Sequence, residues 1–276
     1  MPEHSDNQNG YPREPPSDTT ATKPSFPIEI EAVLFDLDGT LIDYETLSHD
    51  TLEKPIKDRG FGEVSWDLHG SIVGMKHSDW SRIILEKVGI TADKSIDFSP
   101  EEYDKEVTKL VLKTVDRLKP WPRVENVLEF FTKELGVPIA IATSSTRECF
   151  VAKMELPVMQ EKVMKYFGDG SGNLTNTKWI TTGDEITNGK PAPDIFLESA
   201  KRLGVDPTKC LVFEDSPHGI KAGQAAGCYT VALPDERFLS VTKGKFDALE
   251  PTFSLPGGIG SFLDEIVQKG LVRKCK

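Results

Sequence analysis

The sequence has few cysteines and no long apolar segment. Its 276 residues include four cysteines, at positions 149, 210, 228 and 275, and no two of them form a CxxC pair. This predicts free thiols in a reducing compartment and excludes a disulfide framework or a zinc knuckle. No apolar run reaches the roughly 18 residues that a membrane helix needs. The first residues also lack the apolar segment of a signal peptide. We therefore expect a cytoplasmic protein without a membrane partner.

The chain also has fewer positively than negatively charged residues. The chain has 33 lysines and arginines against 44 aspartates and glutamates, which gives a formal net charge of −11. Binding to nucleic acid or to an anionic membrane needs a basic surface, so the composition argues against both partners. If the substrate is an anion, some local feature must reverse the sign of the electrostatic field.

Residues 1–27 differ in composition from the rest of the chain. They contain six of the nineteen prolines and many small polar residues. A segment of this kind cannot bury enough apolar surface to offset its ordering entropy, so we expect a disordered tail. A transit peptide is the alternative, but such peptides are rich in arginine and poor in acids. This segment has one arginine and four acids.

The remaining sequence predicts an α/β fold. A buried strand at Ala32–Phe35 is followed by helical stripes only, with no convincing strand between Asp43 and Pro120. Strands and helices then alternate, which is typical of a Rossmann-like parallel sheet with helices on both faces. We expect a core made of residues 28–42 and 121–276, interrupted by an all-helical insertion at 43–120. The later strands are predicted at 137–142, 179–182, 210–213 and 229–233, and the later helices at 124–135, 195–203 and 219–226, with a final one near 262–267.

Polar residues follow the predicted strands at the edge where open parallel sheets bind ligands. Several carboxylates so close together need a divalent cation or a shared proton, and oxygen ligands favour Mg²⁺. A metal, a lysine, hydroxyls and turn amides together suit a phosphoryl group. A carboxylate can also act as the nucleophile. The residues at this edge are Asp36, Asp38, Thr143, Ser144, Lys190, Glu214 and Asp215.

Four motifs around these residues resemble those of the haloacid dehalogenase superfamily of phosphohydrolases. They are FDLDGT at 35–40, IATSS at 141–145, GKPAPDIF at 189–196 and FEDSPHGI at 213–220. They occur in the family's order, each beside a predicted strand, and the resemblance covers about residues 28–270. The insertion between the first and second motifs is similar to the family's helical cap.

The resemblance implies a role for each residue at the sheet edge. Asp36 would be the nucleophile, and Asp38 would be the general acid and then the general base. The side chains of Asp36 and Asp215 and the backbone carbonyl of Asp38 would bind Mg²⁺. The remaining implied roles are phosphate binding for Thr143, the Ser144 amide and Lys190, and support of the metal site for Glu214.

Substrate choice is the least determined feature. The stretches WDLHGSIVGMK, GKPAPDIFLESAKRLG, VDPTKCLVFEDSPHGIKAGQAAG and VALPDERF resemble a group made of the pseudouridine 5′-phosphatases and a related set of plant phosphatases. That group includes glycerol 3-phosphatases. This likeness implies an Mg²⁺-dependent phosphomonoesterase for a small phosphorylated metabolite. In the cap, Lys76 and His77 are the main candidate substrate contacts, with Glu45 and His49 as further candidates. Tyr44 replaces the small hydroxyl residue that usually follows Asp43.

Two alternatives remain open. A hexose phosphomutase resembling β-phosphoglucomutase would carry the same four motifs but would have to exclude water. A non-catalytic interaction protein is the other alternative, although the complete set of motif residues argues against it. The sequence does not determine the oligomeric state, and we favour a monomer.

Overall fold

A computed structural model describes residues 24–90, 98–168, 174 and 178–275; the side chains of residues 77 and 78 lie outside this description. The strands are β1 (Ile28–Ile30), β2 (Ala32–Phe35), β3 (Ile42–Asp43), β4 (Lys119–Pro120), β5 (Ile139–Thr143), β6 (Ile180–Thr182), β7 (Cys210–Glu214), β8 (Tyr229–Ala232), β9 (Phe253–Ser254) and β10 (Val272–Lys274). The α-helices are α1 (Glu45–Asp58), α2 (Trp66–Ile72), α3 (His77–Lys87), α4 (Pro100–Thr114), α5 (Val124–Glu129), α6 (Arg147–Met154), α7 (Pro157–Lys162), α8 (Asp194–Leu203), α9 (Pro217–Ala225) and α10 (Leu239–Leu249).

Six strands form a parallel sheet in the order β6-β5-β2-β7-β8-β9. The central strand β2 is buried on both faces, as expected for a parallel sheet covered by helices. Its alternate side chains enter different cores: Val33 and Phe35 pack on one face, and Ala32 and Leu34 on the other. The predicted α/β class with a parallel sheet is therefore confirmed.

Helices α1 to α4 occupy the predicted insertion. Strands β3 and β4 flank them and pair antiparallel, with Ile42 opposite Pro120. The expectation of no strand between 43 and 120 was wrong at these two ends, because a two-residue pair leaves no hydrophobic periodicity to detect. The helices share an apolar cluster of their own that includes Leu52, Trp80 and Tyr103. The boundaries of the cap and core domains stay a prediction.

Most other predicted elements are present with shifts of a few residues. The helix predicted over 124–135 is α5, which continues as a wider π-helical turn over Phe130–Glu134. The final helix is also a π-helical turn, at Leu263–Val267. The pattern did not predict the small sheet of β1 and β10, the edge strand β9, or helices α6, α7 and α10.

Two sequence expectations fall largely outside the described residues. The tail prediction concerns residues 1–27, of which 1–23 are not described. The turn-rich composition of residues 168–176 predicts a loop, and that stretch is described only at 168 and 174. In the part of the chain that is described, no helix combines the length and the apolarity required to cross a bilayer.

Candidate active site

The parallel sheet brings the four sequence motifs to one edge. Asp36 directly follows β2, Thr143 is the last residue of β5, and Glu214 is the last residue of β7. Asp215 follows Glu214, and Lys190 comes from the loop before α8. All five residues are at most 5% exposed. The structure thus gathers the predicted core site residues into one buried group.

Lys190 lies at the centre of this group. Its Nζ donates hydrogen bonds to Asp36 Oδ1 at 2.6 Å, to Glu214 Oε1 at 2.6 Å and to the Ala142 carbonyl at 3.2 Å. Burial by itself would lower the pKa of Lys190, but the two carboxylates outweigh burial and raise it. Lys190 is therefore a fixed positive charge that offsets part of the acidity of the site.

Three carboxylates remain close together despite this lysine. Oxygens of Asp36, Glu214 and Asp215 all lie within 4.8 Å of one another. Burial raises the pKa of Asp36 well above its ordinary value, with Lys190 opposing and Glu214 adding to the rise. Burial likewise raises the pKa of Asp215, and the charges of Asp36 and Glu214 raise it further. A cation bound here would relieve both the desolvation and the repulsion.

The Asp215 carboxylate has an oxygen to spare for such a cation. Its Oδ1 accepts a hydrogen bond from Thr40 Oγ1 at 3.3 Å. Its Oδ2 is buried and has no hydrogen-bond partner among the described residues. Buried polar atoms are nearly always paired, so an orphaned carboxylate oxygen beside two other acids fits a metal site.

Two glycines make room for these acids. Gly39 has φ +82°, and a Cβ on it would lie 2.0 Å from Asp215 Oδ2. A Cβ on Gly219 would lie 1.8 Å from the Glu214 carboxyl carbon. The Gly39 carbonyl also accepts a 2.8 Å hydrogen bond from Trp121 Nε1, which fixes the turn after β2. Both glycines are therefore required by the close approach of a carboxylate.

Asp38 is held by a residue that sequence reasoning missed. Lys153 on α6 is fully buried, and its Nζ donates to both oxygens of Asp38 at 2.7 Å. Ser145 Oγ donates to Asp38 at 2.7 Å. The ring of Tyr44 lies 3.7 Å from Lys153 Nζ, a cation–π contact. The departure noted at Tyr44 thus belongs to the support of Asp38. Finding Lys153 required knowing where α6 begins, because it lies eight residues beyond the second motif.

A cavity of about 70 Å³ separates the sheet edge from the helical insertion. The sheet edge contributes Asp36, Asp38 and Thr143–Ser145 to its lining. The insertion contributes polar residues and an apolar rim: Tyr44, Glu45, Ser48, His69, Leu52, Ile72, Val73, Gly74, Met75, Trp80 and Val107.

The candidate substrate contacts from the insertion are only partly found there. Glu45 lines the cavity. Lys76 is absent from the described lining, and its Nζ donates to the Ile186 carbonyl at 3.2 Å. His77 begins α3, and its side chain lies outside the described residues. His69, which sequence reasoning did not select, lines the cavity and is 1% exposed.

The loop after α2 closes against the sheet edge through polar contacts. Ser144 Oγ donates to the Gly74 carbonyl at 2.9 Å. His218 Nδ1 donates to the Val73 carbonyl at 3.1 Å. Gly74 has φ +81°, and a Cβ there would lie 2.1 Å from Ser216 Oγ. The Ser144 side chain therefore binds the loop of the insertion, and the backbone amide of Ser144 is left for other contacts.

Comparison with known proteins identifies the family of this chain. A family model described as haloacid dehalogenase-like hydrolase matches residues 30–227. The chain is 34% identical over 204 residues to the bifunctional riboflavin kinase/FMN phosphatase of Arabidopsis thaliana, which covers 73% of this chain and 48% of that longer protein. It is 31% identical over 210 residues to a protein named probable pseudouridine-5′-phosphatase from Drosophila melanogaster, covering 74% of this chain and 81% of that one.

A solved structure agrees at the level of the fold. A hydrolase from Pseudomonas syringae superposes with a TM-score of 0.68 at 21% identity, covering 86% of this chain and 98% of that one. The chain belongs to the haloacid dehalogenase-like hydrolases. The predicted family and the prediction that the protein is an enzyme are confirmed.

Proposed function

We propose that the protein is an Mg²⁺-dependent phosphomonoesterase that hydrolyses a small phosphorylated metabolite through an aspartyl-phosphate. The observation that carries this proposal is the buried Asp36, hydrogen-bonded to Lys190 at 2.6 Å, grouped with two more carboxylates and lining a cavity. A nucleophilic carboxylate needs such an arrangement, since its own charge and that of the phosphate must both be offset. Pseudouridine 5′-phosphate and compounds resembling glycerol 3-phosphate are the substrates proposed first.

The similar proteins support phosphate-ester hydrolysis. One is named for FMN phosphatase activity and another for pseudouridine 5′-phosphate. The acids present also favour a phosphatase, because a dehalogenase of this superfamily needs neither a general acid at Asp38 nor a metal. We therefore carry over the reaction class, and the substrate stays a proposal.

Asp36, Asp215 and the backbone carbonyl of Asp38 would hold Mg²⁺, with Glu214 in support. The orphaned Asp215 Oδ2 and the crowding of three buried carboxylates fit this assignment. When bound, Mg²⁺ supplies positive charge that stabilises the phosphoryl oxygens as they gain negative charge. Glu214 already accepts hydrogen bonds from Lys190 and from the Ser216 amide and hydroxyl, which suits a supporting role.

The first chemical step forms a bond between an Asp36 carboxylate oxygen and phosphorus while the bond from phosphorus to the leaving alcohol breaks. Asp38 gives its proton to the departing oxygen. In the second step Asp38 takes a proton from water, whose oxygen attacks phosphorus and releases the Asp36 carboxylate and inorganic phosphate. Lys153 and Ser145 orient the Asp38 carboxyl for both transfers.

Thr143, the Ser144 amide and Lys190 would bind the phosphoryl oxygens. Thr143 is 1% exposed and lies at the end of β5, next to the nucleophile on the neighbouring strand. Lys190 and the metal make the local field positive although the whole chain carries a formal charge of −11. The acidic surface therefore does not prevent binding of a phosphate ester.

The remaining expectations complete the proposal. Residues 43–120 act as a cap over the core of 28–42 and 121–276. The enzyme works as a monomer in the cytoplasm, and nucleic acid is not a partner. The scarcity of cysteine supports the location, and the excess of acids supports the absence of nucleic acid.

The test is phosphate release from a panel of esters, with and without Mg²⁺, by the wild-type protein and by Asp36→Asn. We expect release that needs Mg²⁺ and that falls by about 10⁴-fold or more in the variant, because covalent catalysis is lost. Isomerisation of a hexose phosphate without free phosphate would instead establish the mutase alternative. Equal release by both proteins would refute the assigned nucleophile.

A further inference from the structure

Three polar side chains of the insertion stand out because they are buried without an evident structural purpose. Glu45 is 3% exposed, Ser48 is 8% exposed and His69 is 1% exposed. All three line the cavity opposite Asp36. Buried polar groups disfavour folding unless they are well paired, so a structural role alone would require complete pairing.

Their pairing is incomplete. Ser48 Oγ lies 3.2 Å from His69 Nε2, which is a hydrogen bond. Glu45 Oε2 lies 3.1 Å from the same nitrogen, within ion-pairing distance but without hydrogen-bond geometry. His69 Nδ1 is buried and hydrogen-bonds to no other described residue. Glu45 Oε2 and His69 Nδ1 are thus without hydrogen-bond partners among the described residues, on side chains that line the cavity.

The aromatic surroundings keep His69 in place. Its ring stacks on Trp66 at 5.8 Å between centroids and meets the edge of Phe238 at 5.1 Å. Trp66 belongs to the insertion, whereas Phe238 lies just before α10, outside it. The His69 ring is therefore held between the insertion and the α/β core. A clamped imidazole beside a carboxylate and a hydroxyl is a preorganised set of hydrogen-bonding groups.

We infer that Glu45, Ser48 and His69 form the subsite for the leaving alcohol and select phosphate esters of small, neutral, hydroxyl-bearing alcohols. This inference rests on the proposed phosphatase function. The carboxylate accepts hydrogen bonds from substrate hydroxyls, and the imidazole and the serine hydroxyl can donate or accept. An ester that lacks these hydroxyls leaves the three groups buried and unpaired, which is how a site of this type discriminates strongly.

The charges around the cavity exclude a second phosphate. The described residues that line it include no lysine or arginine, and the insertion side contributes one carboxylate, Glu45. A second phosphate at this end would be desolvated next to a negative charge. The subsite therefore argues against the bisphosphate intermediate that a hexose phosphomutase must rebind.

The size of the cavity limits the alcohol. A water needs about 10–15 Å³ of this kind of volume, so about 70 Å³ corresponds to roughly five to seven water positions, which the phosphoryl group and the alcohol must share. The side chains of Leu52, Ile72 and Trp80 are buried around it and leave little room for expansion. A polyol of a few carbons therefore fits better than a nucleoside or a flavin, so of the two kinds of substrate proposed first the subsite favours the one that resembles glycerol 3-phosphate.

The experiment compares kcat/KM for glycerol 3-phosphate and for n-propyl phosphate, which has the same chain length and no hydroxyl. The wild-type enzyme should prefer the polyol ester by about 100-fold or more. His69→Leu and Ser48→Ala should lower kcat/KM much more for glycerol 3-phosphate than for n-propyl phosphate, so most of this preference should be lost. His69→Gln should restore part of it, because its amide can still hydrogen-bond.

Ser71→Ala is the matched control. Ser71 lies on α2 two residues after His69, is absent from the described cavity lining, and donates its hydroxyl to the Leu68 carbonyl at 2.7 Å. It should keep the wild-type preference. Ser48→Ala also serves as the mild variant should the larger change at His69 impair folding, which thermal unfolding reports.

Each other outcome decides a different part of the proposal. Equal wild-type activity on the two esters, or equal losses on both in the variants, would overturn the subsite and leave the phosphatase function standing. A stronger preference for phosphoethanolamine, for pseudouridine 5′-phosphate or for glucose 1,6-bisphosphate would overturn the neutral-polyol assignment. Release of phosphate from none of these esters would overturn the proposed function and the subsite together.

Discussion

The two walls of the cavity are built in different ways. On the sheet side, the cavity-lining Asp36 is linked through Lys190 to Glu214 by hydrogen bonds of 2.6 Å, and all three residues come from strand ends or from the loops that follow them. On the insertion side, Glu45, Ser48 and His69 come from two separate helices and are incompletely paired. Under the proposed function, the sheet side holds the reacting groups and the helical side contacts the leaving alcohol.

The largest effect should follow from replacing Lys190, the buried lysine that bonds Asp36 and Glu214. Lys190→Met leaves Asp36 and Glu214 buried without their shared partner, so we expect a loss of about 3–5 kcal/mol in the free energy of unfolding. Activity should be abolished as well. Denaturant unfolding and phosphate release measure the two effects.

Lys201→Met is the control for that change. Lys201 pairs with Glu198 at 3.1 Å on the surface, and its side chain is 78% exposed. An exposed pair contributes about 0–1 kcal/mol, so this variant should be nearly silent. Similar losses in the two variants would show that burial of the lysine is not what matters.

The next prediction concerns the room that glycine leaves for a carboxylate. In Gly39→Ala the new Cβ would clash with Asp215 Oδ2, so we expect a loss of about 100-fold in activity from misplacement of the acid. The rise in melting temperature on adding Mg²⁺ should disappear. Gly204→Ala is the control, because Gly204 also has a positive φ of +74° but nothing lies within 4 Å of its Cβ position.

The control separates sterics from backbone strain. Gly204→Ala should cost about 1–2 kcal/mol from the left-handed conformation alone and keep the response to Mg²⁺. A normal Mg²⁺ response in Gly39→Ala would mean that Asp215 does not hold the metal.

Much of the sheet wall could be predicted from sequence because it obeys a topological rule. The ends of parallel strands meet at one edge, so Asp36, Thr143 and Asp215 had to come together once the strands were recognised. Sequence reasoning missed Lys153 because it contacts Asp38 from the second turn of α6, a helix that the hydrophobic pattern did not predict. Its neighbours on α6 are not strongly amphipathic, so no stripe marked that helix.

The residues of the insertion that line the cavity were harder to predict, for a different reason. Which helical residues face a cavity depends on how α1 and α2 pack against the rest of the chain, and a rotation of about 100°, equal to one residue, changes the lining. Lys76 had the right chemistry for a phosphate ester, but its ammonium reaches the Ile186 carbonyl instead. Its proposed contact with substrate stays a prediction.

A smaller effect is expected at Lys153. Lys153→Met removes the donor to both Asp38 oxygens, so Asp38 should be less well oriented and kcat should fall by about 10- to 100-fold with little change in KM. Steady-state kinetics separates the two constants. A change confined to KM would assign Lys153 to substrate binding instead.

The smallest expected effect is on the pH dependence of stability, through the hydrogen bond between His218 and the Val73 carbonyl. Burial lowers the pKa of His218, whose ring bonds the Val73 carbonyl. The unfolded chain then binds a proton more readily than the folded one, so this stability is complete above about pH 6.5 and is lost as the pH falls through the lower folded pKa. His218→Gln should flatten this part of the curve of melting temperature against pH, and an unchanged slope would mean that other groups cause it.

The most direct test of the central claim is to trap the covalent enzyme. A substrate ester is mixed with the protein and Mg²⁺, the reaction is quenched in acid, and borohydride is added, which reduces an aspartyl-phosphate to homoserine but leaves free carboxylates intact. Peptide mass spectrometry then locates the modified residue. We expect conversion at Asp36 that depends on substrate and is absent in Asp36→Asn. Conversion at another acid, or hydrolysis with no trapped residue in a quench faster than turnover, would contradict it.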